Sequence, residues 1–203
     1  MPAKFIVFEG IDGSGKSTVL DQVAKKLKAN GKTVLINREP GTTAMGLAVR
    51  QLLKSGTKRS RETELFLQEA SRRDIFDTRI KPNLDKYDYI MNDRYIYSTI
   101  AYQGAGRGNP IKVVNELNFL ATDNLVPDLA ILIDTDLATA AQRQRFRQQT
   151  RDDFDRHFDQ IDDFSKRVYH SYQGMVATGE LTRVVNNDFD QTVAQCLKLI
   201  NNL

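Results

Sequence analysis

The residues most clearly suited to chemistry form one glycine-rich segment, Gly10-Ile11-Asp12-Gly13-Ser14-Gly15-Lys16-Ser17-Thr18. It matches the pattern G-x-x-x-x-G-K-[ST], whose glycines let the backbone close around an anion so that successive N–H groups point inward. The lysine of this pattern reaches the β- and γ-phosphates, and the following serine ligates Mg²⁺. We therefore predict a P-loop that binds ATP and Mg²⁺ through Lys16 and Ser17, with Gly10, Gly13, Ser14, Gly15 and Thr18 completing the cradle.

Alternating strands and helices must position this loop. Short β-rich runs are predicted at residues 5–8, 34–36, 87–91, 129–133 and 181–185, and helices over 19–27, 62–81, 111–121, 159–178 and from 189 to the end. Phe5 to Phe8 is continuously apolar, as expected of a strand that is buried on both faces. Strands that alternate with helices form parallel sheets covered on both sides. We predict one α/β domain over residues 1–203, with the P-loop between the first strand and the first helix.

Composition excludes several classes of protein. The chain has 203 residues and a formal charge of +3, which is too small for a protein that coats nucleic acid. Its basic residues are clustered instead, at 143–151 and at 59–73, which favours a compact anionic ligand. No stretch is long and apolar enough to cross a membrane, and we expect no signal peptide because Met1 leads directly into an apolar run. With Cys196 as its single cysteine, expected in a helix core, the chain is predicted to be cytoplasmic.

Four further segments occur in the order and approximate spacing of a known family: Arg38-Glu39-Pro40-Gly41, Ala70-Ser71-Arg72-Arg73, Asp93-Arg94-Tyr95 with Ser98, and Ala101-Tyr102-Gln103-Gly104. With the P-loop, and with Asp155-Arg156 further on, they resemble the thymidylate kinase family over nearly the whole chain. The resemblance implies a doubly wound P-loop NTPase fold with three layers and a five-stranded parallel sheet. It also implies ATP and Mg²⁺ as cofactors, a small nucleotide as substrate, a homodimer, and transfer of phosphate from ATP to dTMP, giving dTDP.

The resemblance assigns roles around the acceptor phosphate. It places Asp93 near Mg²⁺ and the attacking phosphate, and it places Arg94 and Arg50 on the acceptor phosphate. Glu39 would help to position that phosphate and a metal-bound water. The physical need is clear, because an anionic acceptor must approach a second anion and cationic side chains must hold the two in line.

The sugar and base are assigned to the residues after the third strand and to the preceding long helix. Tyr102 matches a tyrosine that crowds a ribose 2′-hydroxyl, and Thr99 and Gln103 lie nearby as polar contacts. Arg72 is the arginine of the base-binding helix, but Gln68 stands four residues before it, where most members carry an aromatic residue. Because residues 68 and 72 share a helix face, Gln68 should enter the pocket. Phe66 points to another face, and Phe76 is the alternative aromatic platform.

A polar, arginine-rich segment over residues 143–156 is predicted to form a lid. Asp12 occupies the P-loop position where some members of the family carry an arginine, so the chain resembles members that take catalytic arginines from the lid. Arg147 and Arg151 are the candidates for that role, and Arg143 is a candidate for stacking on adenine. An arginine of this kind contributes about 10³–10⁵ in kcat by neutralising transition-state charge.

Two alternatives remain open from the sequence alone. Gln68 allows a diverged paralogue that phosphorylates another deoxynucleotide or a nucleoside. A nucleotide-dependent switch is the other reading, although no Asn-Lys-x-Asp motif for reading guanine is present.

Overall fold

A central sheet of five parallel strands organises the molecule. The computed structural model describes residues 2–150 and 161–203, and the side chains of 2–146 and 161–203. The strands are β1 (Lys4–Glu9), β2 (Val34–Arg38), β3 (Tyr89–Asp93), β4 (Leu129–Asp134) and β5 (Thr182–Val185), in the spatial order β2-β3-β1-β4-β5. The predicted α/β class with a five-stranded parallel sheet is confirmed.

Helices connect the strands and cover the sheet. In the described ranges they are α1 (Lys16–Ala29), α2 (Ala44–Lys54), α3 (Arg61–Ile75), α4 (Ile96–Thr99), α5 (Ile111–Thr122), α6 (Leu137–Thr150), α7 (Asp163–Ala177) and α8 (Phe189–Asn201). None of them combines the length and apolarity needed to cross a bilayer.

Two apolar clusters lie on opposite faces of the sheet. Because successive side chains of a strand point to opposite faces, Phe5 and Val7 of β1 belong to one cluster while Ile6 and Phe8 belong to the other. The first cluster includes residues of α3 and α7, and the second includes α1 and α8 with Cys196. The three layers follow directly from strands that are apolar on both faces, and Cys196 is a buried core residue as expected.

The structure differs from the sequence prediction mainly in its helices. The helix predicted over 62–81 keeps α geometry only to Ile75, and then widens into a π-helical segment, Phe76–Ile80, and a 3₁₀ turn, Lys81–Asn83. Pro82 lies in that final turn, where its missing N–H and its ring oppose a regular continuation. Helices α2 and α4 were not predicted, and a second π-helical segment, Ile100–Gly106, follows α4.

Parallel pairing gathers the carboxyl ends of three strands at one edge of the sheet. Asp93, the last residue of β3, is in register with Phe8 of β1 and with Arg38 of β2. The P-loop follows β1, Glu39 follows β2 and Arg94 follows β3. Ligands of open α/β sheets bind at this edge, so the fold brings these three segments to one place.

Candidate active site

The P-loop leads directly into α1 and is shaped by its glycines. Gly13 (φ 84°) and Gly15 (φ 88°) adopt left-handed conformations, and a Cβ on Gly13 would overlap the carbonyl oxygen of Ala140. Gly15 caps α1 without a side chain, and the first turn of α1 contains no acidic residue. The N–H groups at this helix terminus therefore meet no competing protein anion from the helix itself, which suits a phosphate.

Lys16 is placed where a phosphate would be its natural partner. Its side chain is buried, and its Nζ lies 3.7 Å from Oδ1 of Asp12. Burial, followed by the charge of Arg94, lowers the pKa of Lys16, whereas Asp93 and Asp12 act in the opposite direction. A nucleotide phosphate beside Nζ would favour the charged form of this lysine.

Ser17 and Asp93 form a pair of oxygen ligands suited to Mg²⁺. The Ser17 hydroxyl donates a hydrogen bond to Oδ2 of Asp93, which joins the start of α1 to the end of β3. Mg²⁺ in nucleotide sites is usually held by one or two protein oxygens together with phosphates and water. The described residues contain no cluster of three or more His, Cys, Asp or Glu side chains able to hold a metal. The donor set therefore fits a magnesium ion that arrives with a nucleotide.

Arg94 projects from a strained turn immediately after β3. Its φ of 76° is unusual for a residue with a side chain and costs conformational free energy. Its guanidinium donates to Asp12, to the Ser98 hydroxyl at 2.9 Å and to the Tyr102 hydroxyl at 3.2 Å, and lies 4.8 Å from the centre of the Tyr102 ring. These contacts fix the direction of a cation beside the P-loop.

Glu9 holds the turn at Arg94 in place through hydrogen bonds. It is fully buried at the end of β1 and accepts hydrogen bonds from the backbone N–H groups of Tyr95 (2.8 Å) and Ser98 (3.1 Å). The hydroxyls of Ser98 and Tyr172 donate to its other oxygen at 2.6 and 2.8 Å. Burial raises the pKa of Glu9, while Arg94 and these donors oppose that rise. Four donors and no acceptor suit a carboxylate.

Arg72 is the centre of a buried polar network. It forms ion pairs with Glu39 (2.8 Å) and Glu69 (2.5 Å), and it also donates to Thr99, Asn118 and the carbonyl oxygen of Tyr95. Burial raises the pKa of Glu39 to about 7, although the charge of Arg72 opposes this. Most of the hydrogen-bonding capacity of Arg72 is thus used within the protein, which makes it a wall of the site.

One cavity of about 770 Å³ collects most of the predicted site residues. Its lining includes Asp12, Gly13, Gly15, Lys16, Ser17, Glu39, Arg50, Gln68, Arg72, Asp93, Arg94, Thr99, Tyr102 and Gln103. Arg50 is held by a hydrogen bond of 3.3 Å to the carbonyl oxygen of Pro40, and Gln103 donates to Glu64 at 3.1 Å. Gln68 is half-buried at the wall, as its position on the helix predicts.

Other predicted residues lie outside the cavity lining. Gly10, Ser14 and Thr18 belong to the P-loop without lining the cavity, and Arg143 donates to the carbonyl oxygen of Ser14 at 3.3 Å. The side chain of Arg147 and the whole of Arg151 lie outside the described residues, so their roles stay predictions. The predicted lid begins inside a longer helix, because α6 starts at Leu137.

The structure also shows where Phe66 and Phe76, the two aromatic residues near Gln68 in the sequence, lie. Phe66 is exposed on another face of α3, as predicted. Phe76 is packed in the core, so it does not replace the missing aromatic platform. The basic residues at 59–73 separate as well: Arg59, Arg61 and Arg72 line the cavity, whereas Arg73 pairs with Asp77 and Asp123 at the surface.

Glu9 and Gln144 are among the residues that sequence reasoning missed and that the fold brings to this site. Glu9 supports Arg94, and Gln144 of α6 lines the cavity. The signal for Glu9 was an acidic residue at the end of an otherwise apolar strand, next to the P-loop. Gln144 had no comparable signal, since its surroundings come from the packing of α6.

Comparison with known proteins gives a consistent result. A family model described as thymidylate kinase matches residues 8–196. The chain is 43% identical over 148 residues to a thymidylate kinase of Nostoc punctiforme, covering 71% of this chain and 70% of that protein. It is 34% identical over 218 residues to one of Trichodesmium erythraeum, covering 98% and 95%. The crystal structure of thymidylate kinase from Ehrlichia chaffeensis superimposes with a TM-score of 0.79 at 28% identity, covering 99% of this chain and all of that one.

Proposed function

Because this chain belongs to the thymidylate kinase family, we propose that it transfers the γ-phosphoryl group of ATP to dTMP and releases ADP and dTDP. One observation carries the proposal beyond the family match: the P-loop and the cations Arg94 and Arg50 face a single cavity. Two anionic nucleotides can meet there, each held by its own set of groups. Neither a nucleoside acceptor nor a switch function gains support from these features.

The donor half of the reaction is assigned to the P-loop. Backbone N–H groups around Gly13 and Gly15 hold the phosphates, and Lys16 neutralises the β- and γ-oxygens. Ser17 and Asp93 would hold Mg²⁺, which supplies neutralisation of charge on the phosphates when it is bound. The remaining catalysis is positioning and electrostatic stabilisation by the protein.

The acceptor half is assigned to residues that follow β2 and β3. Arg94 and Arg50 grip the acceptor phosphate, and Glu39 orients it and a bound water. Asp12 holds the guanidinium of Arg94 in place. Tyr102, whose ring packs on that guanidinium, lies beside the sugar and leaves little room for a 2′-hydroxyl. This arrangement supports a deoxyribonucleotide acceptor.

The base is assigned to the cavity wall formed by α3, Thr99 and Gln103. Gln68 has no hydrogen-bond partner among the described residues and offers a donor and an acceptor to the base. Arg72 contributes the one N–H of Nη2 that the Tyr95 carbonyl leaves unused. Gln68 replaces aromatic stacking, which is worth about 1–3 kcal/mol per base, by polar contact.

Three further assignments complete the proposal. Arg147 and Arg151 supply positive charge from the lid, and Arg143 contacts adenine. A homodimer is supported by exposed apolar side chains on the neighbouring helices α2, α3 and α5. The single cysteine is free and buried and cannot form an intramolecular disulfide. This supports a cytoplasmic location, because the cytoplasm is a reducing compartment.

An acceptor panel tests the proposed reaction. We expect ADP release from ATP and Mg²⁺ to be stimulated most strongly by dTMP when all ribo- and deoxyribonucleoside monophosphates and thymidine are compared. Arg94→Ala should lower kcat/KM for dTMP by on the order of 100-fold or more, because it removes a cation from the acceptor phosphate.

Arg73→Ala is the matched control, since Arg73 lies at the surface and pairs with Asp77 and Asp123. It should retain the activity of the wild-type enzyme. Absence of stimulation by every monophosphate would refute the proposed function, and thymidine as the better acceptor would favour the nucleoside alternative.

A further inference from the structure

Gln144 of α6 is a buried amide that lacks hydrogen-bond partners. Its side chain is 4% exposed, and neither Oε1 nor Nε2 has a partner among the described residues. Ser14, Glu69 and Ser71 each have one buried oxygen without a partner. Of these four residues in the described ranges, only Gln144 lines the 770 Å³ cavity. Because both ends of this amide are unpaired beside a binding cavity, we expect a bound ligand to supply a hydrogen-bond partner.

The packing of α6 places this amide close to the phosphate cradle. Ala140 contacts Gly13 so closely that a Cβ on that glycine would overlap its carbonyl oxygen. Arg143 donates to the carbonyl oxygen of Ser14 at 3.3 Å. Gln144 follows Ala140 by one helical turn and therefore lies on the same face of α6. Gln144 lines the cavity next to the P-loop. Asp12, a residue of that loop, accepts a hydrogen bond from Arg94.

The chemistry of this location selects a phosphate oxygen as the partner. Lys16 and Arg94 make this part of the cavity attractive to anions, and phosphate oxygens only accept hydrogen bonds. A carboxamide provides two N–H donors without adding a charge that would itself need neutralisation. Burial of an unpaired amide is unfavourable for folding, so Gln144 does not stabilise the protein when no nucleotide is bound.

We propose that Nε2 of Gln144 donates a hydrogen bond to a phosphoryl oxygen of the bound nucleotides, where the phosphoryl group passes from the P-loop to the acceptor. Gln144 is then a catalytic residue of the reaction proposed above, on which this inference rests. Its hydrogen bond strengthens as negative charge redistributes over the transferring group.

The test uses the full-length protein with Gln144→Met, which keeps the length of the side chain and removes its polar atoms. We expect kcat for dTMP-dependent ADP release to fall by on the order of 100-fold. The melting temperature of the free protein should stay equal or rise, because no partner is lost. Stabilisation by ADP, Mg²⁺, aluminium fluoride and dTMP, which together mimic the transferring phosphoryl group, should shrink.

Two further variants make the result specific. Gln142→Met changes the same residue type at an exposed position of α6 and should leave activity and stability unchanged. Gln144→Glu keeps the shape and replaces the donor by an anion, so its activity should fall below that of Gln144→Met.

Unchanged kcat in Gln144→Met would overturn the inference, as would a parallel loss of melting temperature and activity, which indicates a structural role. The proposed function has a separate test, since it fails only if wild-type protein is inactive with every monophosphate. In that event the stabilisation of wild type and of Gln144→Met by ADP, Mg²⁺ and aluminium fluoride still decides whether the amide contacts phosphate.

Discussion

At the scale of single residues, Glu9 shows how a buried charge can set the direction of another side chain. The turn at Arg94 is conformationally unfavourable, so its neighbours must hold it. Glu9 does so by binding the N–H groups on the carboxyl-terminal side of the turn, at Tyr95 and Ser98. The Ser98 hydroxyl completes the connection, because it accepts from Arg94 and donates to Glu9. Glu9 is therefore a positioning residue.

We expect Glu9→Gln to raise KM for dTMP much more than KM for ATP. The amide group would direct N–H donors against other donors, leaving buried groups unpaired and lowering the free energy of unfolding by about 1–3 kcal/mol. Steady-state kinetics with each substrate varied, together with urea unfolding, measure both effects.

Tyr172→Phe is the control for this prediction, since it removes one donor to Glu9 and leaves the backbone hydrogen bonds of the turn intact. It should change KM for dTMP far less. Equal increases in both KM values for Glu9→Gln would indicate general loss of structure instead of misplacement of Arg94.

Residues of the site differ in how far the sequence reveals them. Gly10 to Thr18 are contiguous in the sequence, so their motif can be recognised without knowledge of the fold. The contacts of Glu9 join residues that are 86 and 163 positions apart, and no local pattern reports them. Gln144 is similar, since its burial against the P-loop exists only after α6 has packed. Gln68 lines the cavity on the helix face that the spacing from Arg72 predicts, because a helical repeat alone fixes that face.

At the scale of secondary structure elements, the position of α2 depends on close contact at its first turn. A Cβ on Gly46 would overlap the carbonyl oxygen of Gly41, so α2 rests directly on the loop after Glu39. The same helix carries Arg50, whose guanidinium returns to the carbonyl oxygen of Pro40. Displacement of α2 would therefore move a proposed ligand of the acceptor phosphate.

Gly46→Ala should destabilise the protein by about 1–3 kcal/mol through this overlap and should raise KM for dTMP. Gly174→Ala is a matched control in α7, because no atom lies within 4 Å of the added Cβ. That control should stabilise the protein by about 0.5–1 kcal/mol through helix propensity. Thermal unfolding and kinetics of both variants distinguish the effects, and destabilisation of similar size in both would contradict the packing argument.

The predictability of elements largely followed their burial. All five strands were located to within a few residues; β1 to β4 are mostly buried, whereas Val184 is the one buried residue of β5. Helix α2 was missed because its buried residues are only Gly46 and Val49, while Met45, Leu47 and Leu52 are exposed. The start of α6 was missed for a related reason: up to residue 146, where its side chains are described, the buried ones are Ala140, Ala141 and Gln144, which are small or polar and form no apolar stripe.

At the scale of the whole molecule, the outer surface of α2, α3 and α5 is unusually apolar. Phe66, Phe119 and Leu120 are 58%, 55% and 64% exposed, and Ile111 is 53% exposed. Helix α3 packs against both α2 and α5, so these side chains belong to neighbouring elements. Apolar surface of this kind marks an interaction site, and a stable interface needs about 1,000 Å² or more. A second copy of this chain is the proposed partner.

Phe119→Asp should therefore shift the protein from dimer to monomer, because a charge would be buried in the interface. Analytical ultracentrifugation over a range of concentrations measures the change. Phe189→Asp, at an exposed site on α8, should leave the association unchanged. A wild-type protein that is monomeric throughout that range would contradict the proposed homodimer.

The groups assigned to phosphate chemistry and Gln68 lie on different elements, and this has an evolutionary consequence. The groups assigned to phosphate chemistry lie on the P-loop, after the ends of β2 and β3, and on α2 and α6, whereas Gln68 lies on α3. We expect a substitution at position 68 to change which nucleobase is accepted while the groups assigned to phosphoryl transfer stay unchanged. We therefore expect base specificity to be able to change in evolution without loss of phosphoryl transfer. Position 68 is the site to mutate in order to accept unnatural thymidine analogues.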